Sequence, residues 1–177
     1  NDGWLDLSIT NVYPCFTSQL FLNDGTGSFR EGTWTCGAVA ANGWGQAAGD
    51  FDNDGDLDLF ICDGNSGVTL FENLLIQRDK PMSVDANYIQ LLLSPLLAAN
   101  RSCIGAQARV TAGGKTYLRE IHGGRGTSSF DDTLVHVGLG AFNETVDVQV
   151  RYPNGPTVEF KGLAMNQRHT LTPPQSR

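Results

Sequence analysis

Residues 49–61 read GDFDNDGDLDLFI, and the interpretation of the whole chain starts from this acidic stretch. Four of its five aspartates fall at the carboxylate positions of a metal-binding loop: Asp50, Asp52, Asp54 and Asp58. This is the D-x-D-x-D-G-x-x-D spacing of a calcium loop, in which converging oxygens supply roughly six to eight ligands. Gly55 permits the tight turn that a Cβ would obstruct. The spacing therefore predicts a metal site formed by these four side chains, with the backbone carbonyl of Asp56 as a further ligand.

The residues after the loop exclude an EF-hand. That class needs flanking helices and a bidentate glutamate at loop position twelve, where this chain has Ile61. Leu57, Leu59 and Ile61 share one side of an extended segment, so the loop leads into a strand. The alternative is a solvated acidic turn that holds no ion. Carboxylates this close together would repel one another without a cation, which favours metal binding.

Composition narrows the class of protein. The 177 residues suffice for one or two domains, and the 21 glycines exceed the usual share of about 7%, which favours an all-β chain with many turns. The net charge of −7 suits calcium and argues against nucleic acid or an anionic membrane surface as partner. No apolar run approaches the ~20 residues of a membrane span, so membrane insertion is not expected. Because the chain begins at Asn1 without an initiator Met, we interpret it as a fragment.

The cysteines leave two possibilities open. None forms a C-x-x-C pair, so a zinc knuckle is not expected; the four are Cys15, Cys36, Cys62 and Cys103. An even number in a calcium-binding β-protein is consistent with two disulfides in an oxidising compartment, and Cys15–Cys36 is favoured because both lie in one repeat. Four buried free thiols are the alternative. Asn100 and Asn143 begin N-x-S/T triplets, which support a secreted glycoprotein weakly.

The first 73 residues contain an internal repeat with a period of about 50 residues, which is typical of solenoids and propellers. NDGWLDLSI at 1–9 aligns with NDGDLDLFI at 53–61, and LFLN at 20–23 aligns with LFEN at 70–73. Strands are predicted at 5–12, 19–23, 28–32, 44–49, 57–62 and 68–73. One unit cannot bury both faces of its small sheet, so we expect a partial β-propeller of about one and a half blades. Of the first loop only Asp2 and Asp6 remain, and strong calcium binding is not expected there.

The pattern changes near residue 87. Strands are predicted at 87–93, 105–112, 115–121, 135–140, 145–152 and 157–161. Val146, Val148, Val150 and Tyr152 share one face of their strand, and residues 153–155 (PNG) form the turn of a hairpin. We expect a small β-sandwich-like domain. The predicted boundaries are 1–74 for the blades, 75–86 for a linker, 87–172 for this domain and 173–177 for a tail.

At the level of families, residues 1–74 resemble FG-GAP/VCBS repeats, the β-propeller blades of integrin α-chains and many secreted proteins. DFDNDGDLDL at 50–59, followed by LFEN at 70–73, carries the resemblance. It implies a structural Ca²⁺ ion held through the side chains of Asp50, Asp52, Asp54 and Asp58 and through the carbonyl of Asp56. That ion would fix the loop between two strands of a blade.

The second half resembles the ASPIC/UnbV domain, which follows FG-GAP/VCBS blades in the cartilage acidic protein family. IGA at 104–106, REI at 119–121 before two glycines, HVGLG at 136–140 and YPNG at 152–155 carry this resemblance. Two motifs depart from it. The family has Trp-Pro where this chain has Tyr152-Pro153, and Gly-Tyr-x-Ser-Gln where residues 126–130 read GTSSF.

Other groups of residues give weaker evidence for a functional site. The histidines (His122, His136 and His169) and the pair Ser128-Ser129 assemble no catalytic set, and no G-x-S-x-G elbow is present. Asp131-Asp132 is a candidate second cation site, but a solvated loop is favoured. The tryptophans, Trp4, Trp34 and Trp44, could offer a platform to a sugar, but packing inside the blades is favoured.

These features together predict a non-enzymatic, extracellular or secreted calcium-binding module for adhesion or interaction. Its partner would be a protein or glycan of the matrix or cell envelope. The alternative is a C-terminal scaffold or carbohydrate-binding region of a secreted hydrolase or lyase whose catalytic domain lies outside these residues. Because no catalytic set can be assembled from the chain, we expect no enzyme activity.

Overall fold

The computed structural model describes residues 1–64, 67–77, 80–83, 85–96 and 100–174. Residues 78–79 and 84 of the predicted linker and 175–177 of the predicted tail lie outside this part. The described residues form strands, turns and loops without a helix, which confirms the all-β class. Within the same ranges no helix suited to crossing a membrane is found. The chain divides into two compact units: Trp4–Leu74 with Gly124–Asp131, and Asn1–Gly3 with Leu75–Gly123 and Asp132–Arg177.

The unit that contains Trp4–Leu74 holds two three-stranded antiparallel sheets, one for each copy of the repeat. The first sheet has the order β1 (Leu7–Ile9), β2 (Gln19–Asn23) and β3 (Phe29–Glu31), and the second has β4 (Gly43–Gly49), β5 (Asp58–Asp63) and β6 (Gly67–Phe71). These are the predicted strands with small shifts of their ends. The largest difference is β1, which was expected over 5–12 but pairs with β2 only from Leu7 to Ile9.

The two sheets of this unit meet through polar contacts. Gln46 of β4 donates from Nε2 to the carbonyl of Ser8 in β1, and the Ser8 hydroxyl donates back to Gln46 Oε1, each over 2.6 Å. Ile61 is fully buried, but many other apolar residues are exposed; they include Leu5, Leu7, Ile9, Phe29, Val68 and Leu70. Sheets that bury so little by themselves are the units of stacked or circular arrays, which is consistent with part of a propeller.

The other unit contains seven strands in two sheets. One sheet has the order β10-β7-β13 and the other β12-β11-β8-β9. Their bounds are β7 (Asn87–Leu93), β8 (Gln107–Ala112), β9 (Lys115–Glu120), β10 (Val135–Gly140), β11 (Val146–Arg151), β12 (Thr157–Leu163) and β13 (Arg168–Leu171). Six of these strands follow the predicted positions. The seventh, β13, was missed because it is only four residues long and largely polar, and it gains its strand geometry from parallel pairing with β7.

A single apolar core joins the two sheets of this unit. Residues from four strands of the two sheets enter it: Ile89 and Leu91 from β7, Val137 from β10, Val110 from β8, and Val148 from β11, each no more than 1% exposed. The alternation within β11 confirms its predicted inward face, where Val146, Val150 and the nearby Tyr152 are also buried. Two sheets sharing one core in this way form a small sandwich.

Candidate metal centre

Three of the predicted ligands come together in the loop between β4 and β5. Asp50 directly follows β4, Asp52 lies two residues later, and Asp58 is the first residue of β5. One carboxylate oxygen of each lies within 4.8 Å of the others. Three anionic hard-oxygen donors at this separation fit a divalent cation such as Ca²⁺, which binds oxygens at about 2.3–2.6 Å.

Backbone amides of the loop donate hydrogen bonds to its own carboxylates. The Asp54 amide donates to Oδ1 of Asp50 over 3.0 Å and to Oδ1 of Asp52 over 3.1 Å, and the Gly55 amide donates to Oδ2 of Asp50 over 3.2 Å. Gly55 has a φ of +104°, which favours glycine. Asn53 has a φ of +59°, which asparagine tolerates better than most residues. This confirms the role predicted for Gly55.

Asp58 connects the loop to the end of the sheet. Its Oδ2 accepts a hydrogen bond from the Phe51 amide over 2.9 Å, and its Oδ1 accepts one from the Asn73 amide over 2.8 Å. The residue is 3% exposed. Each carboxylate oxygen has two lone pairs, so these hydrogen bonds leave a lone pair available on each oxygen for a cation. Asp58 thereby fixes the position of the site relative to β4, β5 and the residues after β6.

The other two predicted ligands are the side chain of Asp54 and the backbone carbonyl of Asp56. The Asp54 carboxylate lies outside the group of three, and its Oδ1 accepts a hydrogen bond from the Asp56 amide over 3.0 Å. Asp56 itself is 1% exposed. Their roles, through the side chain of Asp54 and the carbonyl of Asp56, therefore stay predictions.

The negative charges of the loop affect the pKa of the Asp54 carboxyl. Burial raises the pKa of the Asp54 carboxyl above its usual value, and the negative charges of Asp52, Asp50 and Asp58 raise it further. A raised carboxyl pKa means that the anion is disfavoured where it stands. A cation bound among these groups would offset that repulsion, so the electrostatics of the loop agree with its geometry.

The structure also identifies a contact that the sequence interpretation missed. Asn73 donates from its amide to Asp58 and from Nδ2 to the carbonyl of Leu57, over 2.8 and 3.2 Å. The first repeat makes the same pair of bonds, since Asn23 donates to Oδ1 of Asp6 over 2.8 Å and to the carbonyl of Leu5 over 3.1 Å. The signal was present in the repeated LFLN and LFEN segments, whose asparagines had been aligned without a role.

The remaining polar candidates do not assemble a second site among the described residues. Asp131 accepts a hydrogen bond from the Ala48 amide and Asp132 from the Leu134 amide, so the two neighbours serve different backbone groups. His136 is half-buried, and desolvation, followed by the positive charges of the N-terminal amine and Arg119, lowers its pKa to about 3, which keeps the ring neutral. Its ring stacks on Tyr88 with centroids 5.7 Å apart. These contacts are those of structural residues.

Two expectations from the sequence are wrong. The predicted disulfides, including Cys15–Cys36, are not formed, since all four cysteines are free: Cys15, Cys36 and Cys62 are exposed and Cys103 is buried. Cys103 lies in the core of its own unit and its thiol approaches the Leu93 carbonyl at 3.5 Å, which leaves it unavailable for pairing. The alternative of four buried thiols also fails for three of them.

The tryptophans are not packed inside the blades. Trp4 is 43% exposed, Trp34 69% and Trp44 53%, although their packing in the interior was the favoured interpretation. The three-stranded sheets bury few large side chains of any kind, so little interior is available to receive an indole. The surface of this unit is therefore rich in aromatic groups.

Comparison with known protein families agrees with this architecture. The family described as FG-GAP-like repeat matches residues 1–61, and the family described as ASPIC and UnbV matches residues 97–177. The chain is an FG-GAP-like repeat followed by an ASPIC/UnbV domain. The acidic loop lies within the FG-GAP match, and β7 precedes the ASPIC/UnbV match although it pairs with β10 and β13 within one sheet. No curated protein matches the chain in sequence.

Proposed function

We propose that this FG-GAP and ASPIC/UnbV chain is a non-enzymatic, extracellular interaction module whose blade is stabilised by a bound calcium ion. The observation that carries the proposal is the convergence of Asp50, Asp52 and Asp58, whose ligand oxygens lie within 4.8 Å of one another. The resemblance of the loop to FG-GAP calcium sites supports the same ion. The site is structural in this proposal, because Asp58 ties the loop to β5 and to the residues after β6.

Calcium fits the donor set better than other common metals. Zinc prefers nitrogen and sulphur ligands in a tetrahedron, and the group contains neither histidine nor cysteine. Magnesium demands near-ideal octahedral geometry and keeps several waters, whereas calcium accepts a flexible cage of carboxylates and carbonyls. Extracellular calcium modules bind the ion with dissociation constants of about 10⁻⁴ to 10⁻³ M, and this range suits a loop that is partly exposed.

The partner is proposed to be a protein or glycan of the matrix or cell envelope. The net charge of −7 disfavours nucleic acid and anionic membrane surfaces. The proposal includes no enzyme activity, since the sequence offers no recognisable catalytic motif. In this view calcium makes the blade rigid, and the surface of the blade carries the interaction.

A calcium titration tests the proposal. The chain and two variants would be titrated by calorimetry, and their melting would be followed with calcium and with chelator. Asp52→Asn keeps an oxygen that can accept the Asp54 amide but removes a charged ligand. Asp24→Asn makes the same change in the β2–β3 turn, where the carboxylate accepts hydrogen bonds from Thr26. We expect one site in the parent and in Asp24→Asn, and loss of at least tenfold in affinity in Asp52→Asn. A saturating ion at 100 times its dissociation constant should add about 2.7 kcal/mol of stability.

The result against the proposal is equally defined. Absence of binding heat together with the same melting temperature in calcium and chelator would show that the loop is only a solvated turn. Equal affinity in Asp24→Asn and Asp52→Asn would place the ion elsewhere.

A second function, carbohydrate recognition, is favoured by one observation. Trp4, Trp34 and Trp44 are all substantially exposed, and exposed aromatic faces suit the apolar faces of sugars. This would fit the alternative of a carbohydrate-binding region attached to a secreted hydrolase or lyase. A glycan array probed with the chain and with Trp34→Ala decides it. Glycan binding that is lost in Trp34→Ala supports this function, and absence of binding to every glycan rejects it.

A further inference from the structure

The segment Gly124–Asp131 belongs to the same compact unit as Trp4–Leu74, although it lies far along the chain from it. Within that unit the segment contacts β4, which is an outer strand because the sheet has the order β4-β5-β6. The outer strand of a sheet presents a row of amides and carbonyls that can pair with a strand of another molecule. Natural proteins usually protect such edges with charges, proline or a covering segment.

Two side chains of this segment occupy the outer edge of β4. The Gln46 amide donates to Ser129 Oγ over 3.1 Å, and the Ala48 amide donates to Asp131 Oδ1 over 3.0 Å. Gln46 and Ala48 are alternate residues of one strand, so their amides point to the same side, away from β5. Ser129 and Asp131 therefore take the places that two carbonyls of a fourth strand would take.

Internal contacts hold the two acceptors in position. Arg125 Nε lies 2.9 Å from Oδ2 of Asp131, the oxygen that does not serve β4. The Arg125 amide donates to the carbonyl of Ser129 over 3.1 Å, and the Ser129 hydroxyl donates to the carbonyl of Thr127 over 3.2 Å. The segment is thus a closed turn that presents both acceptors on one side.

The strand under the segment is adapted to its close approach. A Cβ added to Gly45 would overlap the carbonyl oxygen of Ser128, so only glycine leaves room for the segment at this position. The sequence of β4, GWGQAAG, contains no charge and no proline. Apart from a bulge between Gly43 and Gly45, β4 therefore depends on the covering segment for its protection against edge pairing.

We propose that Gly124–Asp131 is an edge cap that prevents β4 from pairing with β4 of a second copy of this chain. An antiparallel pair of identical strands obeys two-fold symmetry, so each β4 offers the other the same set of donors and acceptors. Five of the seven residues of β4 are glycine or alanine, so most of the strand presents little side-chain bulk to such a pair. The edge cap competes for the same amides and keeps the chain monomeric at this edge.

The test removes the two acceptors from the full chain. In the double variant Ser129→Ala with Asp131→Ala, hydrogen exchange of the Gln46 and Ala48 amides should accelerate by about tenfold in dilute, monomeric protein, because each amide loses its acceptor before a second β4 can replace it. Light scattering after size exclusion should detect a concentration-dependent dimer that the parent does not form. Asp132→Ala is the matched control, since it removes the neighbouring carboxylate, which accepts from Leu134 instead of β4.

A second test displaces the edge cap without changing its residues, and it uses one variant and one control. Gly45→Ala introduces the Cβ that would overlap Ser128, whereas Gly49→Ala adds a Cβ to the same strand where no atom lies within 4 Å. We expect faster exchange at Gln46 and Ala48 and dimer formation for Gly45→Ala alone. Unchanged exchange of these two amides in folded protein, or faster exchange without a dimer at any concentration, would overturn the proposal.

Discussion

Removal of Asp58 should destabilise the blade unit far more than removal of its counterpart in the first repeat. The buried Asp58 carboxylate accepts the amides of Phe51 and Asn73, over 2.9 and 2.8 Å. Asp6 occupies the equivalent position in the first repeat and accepts the Asn23 amide over 2.8 Å, but it is exposed to solvent. Comparing Asp58→Ala with Asp6→Ala therefore tests the same hydrogen bond, from an asparagine backbone amide to an aspartate carboxylate, at a buried and at an exposed position.

The magnitude follows from the number and burial of these bonds. A hydrogen bond to a charged group contributes about 1.5–3 kcal/mol, so the two bonds of Asp58 are together worth about 3–6 kcal/mol. Removing one carboxylate from the crowded loop relieves some repulsion, and we expect a net loss of about 3 kcal/mol without calcium. The exposed bond of Asp6 should be worth about 1 kcal/mol or less. With saturating calcium the loss in Asp58→Ala grows, because the variant also loses a ligand.

Tryptophan fluorescence gives an assay that is specific to this unit. The three tryptophans of the chain all lie within Trp4–Leu74, so urea unfolding followed by their emission reports the blades without contribution from the ASPIC/UnbV core. Each variant would be unfolded with calcium and with chelator. Equal destabilisation by Asp58→Ala and Asp6→Ala, with the calcium increment intact in both, would refute the reasoning.

Two further predictions concern the ASPIC/UnbV unit. Leu91→Ala should cost about 2–5 kcal/mol, because Leu91 is fully buried in the core, whereas Leu92→Ala on the exposed side of the same strand should cost below about 0.5 kcal/mol, as measured by urea unfolding followed by circular dichroism. His136 has a pKa lowered to about 3, chiefly by burial, so the unfolded state takes up a proton first as the pH falls below ~6.5. Stability should then decrease by about 1.4 kcal/mol per pH unit from about pH 6.5 towards pH 3. His136→Gln should show a shallower decrease than the parent and than the control His122→Gln, and identical slopes in all three would contradict the prediction.

Local pattern was enough to predict most of the strands. The alternation of Val146, Val148 and Val150 predicted both the strand and its inward face, because side chains on a strand alternate between the two sides of the sheet. Gly55 predicted the turn of the acidic loop for a similarly local reason, because glycine adopts positive φ without strain. The strand β13 could not be predicted in this way, since Arg168–Leu171 carries a weak pattern and depends on parallel pairing with β7, far away in the chain.

Side-chain environment was less predictable than strand position. The tryptophans were expected to pack inside and the cysteines to form disulfides. Burial and disulfide pairing depend on which elements lie near a side chain, and residue type alone does not reveal those neighbours. The equivalent roles of Asn23 and Asn73 were hidden for the same reason, because an asparagine that follows a strand has many possible partners.

The sequence by itself determined the all-β class, the repeat and the acidic spacing that brings carboxylates to one loop, because these follow from periodicity and turn chemistry over a few residues. Only the tertiary structure decided which carboxylates converge, Asp50, Asp52 and Asp58, while Asp54 turns to the Asp56 amide. It also decided that Ser129 and Asp131 would meet the edge of β4. Contacts between distant segments depend on the path of the whole chain, and no local spacing contains that information.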